Sequence, residues 1–228
     1  MSNVDNMNAE LAITPLLRLA FRPLFLGGTL FSILAIGWWA YYWVAPFDWQ
    51  PYGGPIWWHG HEMLFGFGAA IVVGFLLTAV QSWTGVPGVK GNKLAVLAGA
   101  WLLGRLLVAF GTSLPGWAVA VGDLSFLVLS AVAMAYPVLK AKQWRNLMFV
   151  PILLVLMILN AVSHWGALTG RPLIAVQALH GAILLIALVI SIIGGRVIPF
   201  FTANASSYTR LPNIGWLDGI SIGSIIAL

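Results

Sequence analysis

The 228-residue sequence contains no cysteine and very little charge. The absence of cysteine excludes disulfide bonds, thiolate metal ligands, cysteine-bound iron–sulfur clusters and covalently attached c-type haem. Charged residues make up only 7% of the chain, whereas a soluble domain carries about 25%. Hydrophobic residues make up 61%. A soluble fold is therefore excluded, and the net charge of +5, which comes from a few loop lysines and arginines, does not indicate nucleic-acid binding.

Long apolar runs account for most of the chain. A transmembrane helix needs about 20 predominantly apolar residues. Six runs qualify and a seventh begins near Ile214: 24–44, 63–83, 94–110, 117–139, 147–165, 173–195 and 214–228. We predict an all-α polytopic transmembrane bundle, a single integral membrane domain over residues 1–228 that includes an N-terminal segment, 1–22. Because the last run stops inside hydrocarbon, we expect either a fragment or a final segment that docks on a partner.

The positions of the basic residues predict the orientation. Nine lysines and arginines lie on one side of the predicted membrane: Arg18, Arg22, Lys90, Lys93, Lys140, Lys142, Arg145, Arg196 and Arg210. The loops of the other side carry only Arg171. Since basic loops stay on the cytoplasmic side, we predict a cytoplasmic N-terminus.

The ionisable side chains of the spans are concentrated in the predicted outer half of the bundle. They comprise all four histidines and three charged residues: His59, His61, His164, His180, Glu62, Arg105 and Asp123. Ionisable groups inside a bilayer are costly and are by default candidates for function. Imidazole is also the commonest protein metal ligand. The sequence therefore poses a choice between a metal or haem site and a proton path.

His59 and His61 stand two residues apart. On a helix their directions diverge by about 200°, because each residue turns about 100°. Both histidines can bind one centre only if the helix starts at or after His61; otherwise one faces the bundle and the other faces water. We weigh a ligand role for at least one of them against two interfacial histidines.

The other polar residues leave further alternatives open. His180 is the deepest histidine and is favoured as a ligand over a hydrogen bond between helices. For His164 an interfacial position is as well supported as a ligand role. Arg105 and Asp123 are expected to form a buried ion pair, with a haem propionate as the alternative partner of Arg105. Glu62 is a candidate proton donor, or an acceptor that orients a ligating histidine.

Several ordered stretches resemble the NnrS family of bacterial membrane proteins. They are FRPLF at 21–25, WHGHEMLFGF at 58–67, GFLLTAV at 74–80, WTG at 83–85 and GGRVIPFFT at 194–202. The GGRVIP segment by itself is typical of a helix break after a snorkelling Arg196. Family members have about twice this length and roughly twelve spans, so histidines beyond this chain are expected to supply further ligands.

The resemblance implies a haem- and copper-containing protein of the bacterial inner membrane, linked to denitrification and to relief of nitric oxide stress. The resemblance also implies that His59, His61, Glu62 and Arg196 are site residues. We therefore expect haem b, with copper as a second candidate, bound toward the periplasmic side by His180 and one of His59 or His61.

In this hypothesis nitric oxide is the small-molecule ligand, Glu62 handles protons, and electrons come from a partner protein or quinol. A second membrane half or a second copy of the chain is an expected partner. Two alternatives remain: a proton-coupled transporter with a polar outward-facing cavity, and a structural or assembly subunit without a cofactor.

Overall fold

The structure is a computed structural model that describes residues 12–206 and 215–227. In these ranges the regular structure is helical, which confirms the predicted all-α class. The helices are α1 (Phe21–Val44), α2 (Pro55–Thr84), α3 (Asn92–Phe110), α4 (Gly116–Lys140), α5 (Phe149–Leu168), α6 (Pro172–Ala205) and α7 (Gly215–Ile226). Residues 1–11 of the predicted N-terminal segment, and residues 214 and 228 of the predicted seventh run, lie outside the described ranges.

Six of these helices, α1 to α6, are long and apolar enough to cross a membrane. The number of complete spans predicted from the sequence is therefore confirmed. A short helical turn, Trp144–Leu147, precedes α5. The helix ends differ from the predicted runs at two places that matter for function, the start of α2 and the end of α6.

Helix α2 begins at Pro55 rather than at residue 63. Gly53 and Gly54 have φ angles of 74° and 84°, which glycine adopts without steric cost, and they turn the chain into the helix. Pro55 then occupies the first helical position, where a missing N–H costs nothing. A hydropathy run begins only after the polar WHGHE sequence, so the first two turns of α2 were missed.

The middle of α2 is π-helical over Glu62–Gly68. Such wide turns are rare and often occur at functional sites. The indole Nε1 of Trp101 on α3 donates a hydrogen bond of 2.8 Å to the carbonyl oxygen of Gly66, inside this segment. The π-helical segment begins at Glu62 and directly follows His61. Both of these residues are predicted site residues.

Helix α6 continues through Pro199 and ends at Ala205. The helix break expected at the GGRVIP segment is therefore wrong. A proline removes one backbone donor and disturbs the preceding turn, but transmembrane helices tolerate it because neighbouring groups compensate. The predicted span 173–195 is accordingly extended by further turns that include Arg196.

By its internal contacts the chain divides into two compact units, Met1–Leu179 and His180–Leu228. In the first unit α4 has a central position, because it packs against α2, α3 and α5. Helix α1 packs on α2, where Gly74 leaves space for Phe25: a Cβ at Gly74 would lie 3.0 Å from the phenylalanine ring. A polar side chain that α4 turns inward is therefore close to three other helices.

Gly166 provides a test of this packing. A Cβ there would lie 2.6 Å from the backbone nitrogen of Ala175, a contact that no side-chain rotation relieves. We expect Gly166→Ala to lower the free energy of unfolding by about 1–3 kcal/mol. Denaturant titration in mixed micelles measures the change.

The matched control is Gly99→Ala on α3, where an added Cβ meets no atom of the described residues within 4 Å. This substitution should be neutral or stabilising by up to about 1 kcal/mol, because alanine favours the helix. Equal effects of the two substitutions would contradict the close approach at Gly166.

Candidate metal centre

Arg105 on α3 forms two ion pairs inside the bundle. Its Nη1 donates to Oε2 of Glu62 on α2 at 2.8 Å, and its Nη2 donates to Oδ1 of Asp123 on α4. The ion pair predicted between Arg105 and Asp123 is therefore present, and Glu62 is a second partner that was not expected. The three side chains are 3% exposed or less. Because a buried guanidinium needs such compensation, the two carboxylates fix its position.

His61 lies between the same two carboxylates. Its Nδ1 is 3.0 Å from Oε1 of Glu62, and its Nε2 is 2.8 Å from Oδ1 of Asn160 and 3.3 Å from Oδ2 of Asp123. All these neighbours are oxygen acceptors, so both ring nitrogens donate when the imidazole carries its second proton. Protonated His61 and Arg105 then balance the charges of the two carboxylates.

His164 on α5 approaches Asp123 from the other side. Its Nε2 lies 3.1 Å from Oδ2 of Asp123, and its Nδ1 lies 3.3 Å from the hydroxyl of Tyr52. The amide of Asn160, one turn earlier on α5, donates to the same Oδ2 at 2.7 Å. His164 is thus a buried member of the site.

These six side chains form what we call the polar cluster: His61, Glu62, Arg105, Asp123, Asn160 and His164. None of them is more than 3% exposed. One ligand atom each from His61, Asp123 and His164 lies within 4.8 Å of the other two, which makes these three residues a possible metal-binding set. The nitrogen and oxygen donors of this set suit copper and zinc. A thiolate ligand is excluded, because the chain has no cysteine.

Trp57 covers the imidazole rings of the polar cluster. Its ring stacks on that of His61, with 4.5 Å between centroids, and lies 5.4 Å from the ring of His164. The indole Nε1 donates to Oγ of Ser163 at 2.9 Å, which fixes the ring in this position. Neither Trp57 nor Ser163 was identified from the sequence, where tryptophans near span ends are typical of the membrane interface.

Gly66 allows the ion pairs to form. A Cβ at this residue would lie 2.7 Å from Nη1 of Arg105, 2.9 Å from Oε2 of Glu62 and 2.7 Å from Phe31. The guanidinium therefore rests against bare backbone in the π-helical segment. A larger residue at this position would displace the charges or the ring of Phe31.

The other predicted ligands lie outside the polar cluster. His59 is part of α2 and stacks on Trp39 with 4.1 Å between centroids, so the two histidines of WHGH diverge as helical geometry requires. His180 and Arg196 belong to the second unit, where His180 is exposed and Arg196 is partly buried. Their cofactor roles, and the catalytic role of Glu62, stay predictions.

Tyr52 was also missed from the sequence. It precedes α2 and is 7% exposed, and its backbone N–H donates to the carbonyl oxygen of Val108 at 3.2 Å. Burial and the negative charge of Asp123 raise the pKa of its hydroxyl from 10.0 to about 12. The hydroxyl therefore stays protonated and neutral at physiological pH, 3.3 Å from Nδ1 of His164. The glycines and aromatic residues around Tyr52 in the sequence indicate only a turn, so they do not identify it as a site residue.

The fold and the site together define a polytopic helical membrane protein with a buried histidine–carboxylate cluster between its spans. Residues 15–228 match the model of one family, described as NnrS protein. The chain belongs to the NnrS family, as the sequence resemblance indicated. No curated protein and no solved structure matches it. Family membership supports a membrane protein associated with nitric oxide.

Arg105 is the first residue to test. We expect Arg105→Gln to lower the free energy of unfolding by about 3–5 kcal/mol, because two buried carboxylates lose their fixed cation. The double variant Arg105→Gln with Glu62→Gln should recover part of this loss, since it restores the original net charge. The measurement is denaturant titration in mixed micelles.

Arg171→Gln is the control, since Arg171 is exposed and lies 5.1 Å from the ring of Trp165. It should change stability by about 1 kcal/mol at most. If Arg105→Gln were as mild as this control, the ion pairs would not hold the helices together.

Tyr52 gives a pH prediction. Its pKa is higher in the folded protein than the usual 10.0, so the folded state keeps its proton where the unfolded state loses it. The stability contribution is full below pH 10.0 and is lost as the pH rises toward about 12. Stability of the wild type should therefore fall more steeply across this window than that of Tyr52→Phe.

The exposed Tyr41, substituted as Tyr41→Phe, serves as the control and should retain the wild-type pH profile. The profiles are obtained from unfolding titrations at a series of alkaline pH values. Parallel profiles for wild type and Tyr52→Phe would show that Tyr52 is not held beside Asp123.

Proposed function

We propose that this protein is a copper-binding membrane protein that binds or turns over nitric oxide, or protects against it, and that the polar cluster is its metal centre. The proposed ligands are Nε2 of His61, Nε2 of His164 and Oδ2 of Asp123. The convergence of the two imidazole nitrogens on one carboxylate oxygen, at 3.3 and 3.1 Å, carries this proposal. The site lies where the predicted topology puts the periplasmic half of the bacterial inner membrane.

The donor set fits a small cation. Histidine nitrogens with a carboxylate oxygen suit copper, and the surrounding residues exclude water from the ion. A cation bound in place of the second proton of His61 also keeps positive charge beside Glu62 and Asp123, which Arg105 alone does not balance. Glu62 accepts from Nδ1 of His61 and so orients the ring, the usual role of a carboxylate behind a ligating histidine.

The polar cluster does not fit haem. His61 has no exposed surface, and its ring is stacked on Trp57 and lies 5.0 Å from the rings of both Phe65 and His164. A porphyrin that reached Nε2 would have to displace Asn160. Arg105, the predicted propionate partner, is already paired with Glu62 and Asp123.

Haem b therefore requires other ligands, and His59 and His180 remain the candidates. Nδ1 of His59 is buried and lacks a hydrogen-bond partner within the described residues. A buried polar atom without a partner is unusual and favours a ligand role. His180 lies on the exposed side of its helix, where the further spans expected of a longer family member would meet it.

Copper, when bound, would supply the metal to which nitric oxide could coordinate. The proposed ligands would hold the ion, and the burial of the polar cluster would keep water away from it. An uncharged gas reaches the site through the lipid, so no polar channel is required. Because the chain carries no cysteine for a c-type haem or iron–sulfur cluster, electrons for any reduction come from a partner protein or quinol.

The decisive experiment is metal analysis of the detergent-purified protein and its variants. We expect about one copper per chain, with a tenfold or greater loss of affinity in His61→Gln and in His164→Gln, because each removes a ligand. His59→Gln, which changes the other histidine of WHGH, is the matched control and should keep the copper.

Electron paramagnetic resonance and absorbance spectra of the same samples, with and without nitric oxide, give the second readout. Copper signals that change with nitric oxide in wild type and in His59→Gln, but are absent from His61→Gln, support the proposal. Copper that persists in both His61→Gln and His164→Gln would refute the ligand assignment. A Soret band lost only in His59→Gln or His180→Gln would assign haem to those residues.

A further inference from the structure

A membrane-facing groove lies at the opposite end of the first unit from the polar cluster. It is a cavity of about 530 Å³ between the first turns of α3 and the last turns of α4, next to the loop residues Pro87, Gly88 and Val89. The polar cluster uses Arg105 and Asp123 from the other ends of the same two helices. The groove is therefore a separate feature that the proposed metal chemistry does not use.

The walls of the groove are apolar and open toward lipid. Leu97 forms part of the interior and is 2% exposed, whereas Val96 and Val132 are 63% and 64% exposed. On α4 the lining residues include Leu129 at the far end of the groove and Tyr136 near the loop. These two residues are seven positions apart, which corresponds to about 10 Å along the helix. An acyl chain that enters from the bilayer therefore has a continuous apolar surface to follow.

The loop end of the groove is cationic. Lys93 lines it directly. The ammonium of Lys140 donates to the hydroxyl of Tyr136 at 3.3 Å and lies 5.5 Å from the centre of its ring. Because the tyrosine oxygen accepts this bond, its own O–H remains able to donate to a ligand. Lys93 and the hydroxyl of Tyr136 thus line the polar end of the groove, and the ammonium of Lys140 borders it through its contact with Tyr136.

This arrangement matches an anionic glycerophospholipid. Basic pockets between transmembrane helices on the cytoplasmic side recognise anionic headgroups. The basic loops predict that the groove opens in the cytoplasmic leaflet, where such lipids are abundant. The positive charge at the loop end favours a lipid whose headgroup carries a net negative charge over a zwitterionic lipid or a wholly apolar molecule.

We propose that this groove binds one anionic phospholipid, with its phosphate between Lys93, Lys140 and the hydroxyl of Tyr136, and an acyl chain against Val96, Leu129 and Val132. The proposal is independent of the metal centre. It concerns the ends of α3 and α4, so an occupied groove would also hold together the helices that carry Arg105 and Asp123.

The test is native mass spectrometry of the purified chain with added phosphatidylglycerol or phosphatidylcholine of the same chain length. We expect stoichiometric retention of phosphatidylglycerol and weaker retention of phosphatidylcholine. Lys93→Gln and Lys140→Gln should each weaken phosphatidylglycerol binding about fivefold, as expected for loss of one cation near an anionic headgroup. Lys142→Gln, which removes a charge from the same loop region but not from the groove, should bind as wild type does.

A second pair of variants tests the acyl-chain portion. Ala133→Trp fills the groove and should reduce retention of both lipids, whereas Val128→Trp, at an exposed position of α4 outside the groove, should not. Equal binding of the two lipids by wild type, or undiminished phosphatidylglycerol binding by Lys93→Gln/Lys140→Gln, would overturn the proposal. So would a quinone or a second copy of the chain in the groove, detected by its mass.

Discussion

The position of Arg105 determines the arrangement of the other buried polar groups. Its guanidinium, presented by α3, joins Glu62 of α2 to Asp123 of α4, so one side chain connects three transmembrane helices. In an apolar bundle a charge without partners is far more costly than one on a protein surface. The two carboxylates, once fixed by the guanidinium, leave their remaining oxygens for His61 and His164. The ion pairs of Arg105 therefore orient the two imidazoles indirectly, because they fix the carboxylates to which His61 and His164 bind.

The backbone of α2 is adapted to this charge arrangement. The π-helical turn begins at Glu62, and the guanidinium packs against Gly66 within the same turn. The carbonyl oxygen of Gly66 itself accepts a hydrogen bond from the indole of Trp101. The small residues of α2 therefore serve two purposes. Near the cluster they give room for an ion pair, and at Gly74 they allow the close approach of α1.

The sequence was sufficient for the spans and for the Arg105–Asp123 pair because both follow from local properties, hydropathy and the depth of opposite charges on consecutive helices. It was insufficient where contacts are distant in the chain. His61 meets Asn160, 99 residues away, and His164 meets Tyr52, 112 residues away. No spacing rule predicts which histidines converge in this way. The start of α2 was missed because Pro55 and its preceding glycines, rather than hydropathy, determine where the helix begins.

The divergence of the two histidines in WHGH bears on how such a motif should be interpreted. Once the helix starts before His59, a two-residue spacing places the imidazoles on different faces, and no rotation of the side chains brings both to one ion. His61 accordingly joins the carboxylates, while His59 stacks on Trp39. If the chain holds both copper and haem, helical geometry assigns them to different histidines: the small ion to the enclosed face of α2, and the large planar group to the face of His59, whose buried Nδ1 has no hydrogen-bond partner among the described residues. Adjacent residues of one motif would then serve two cofactors because they lie on one helix.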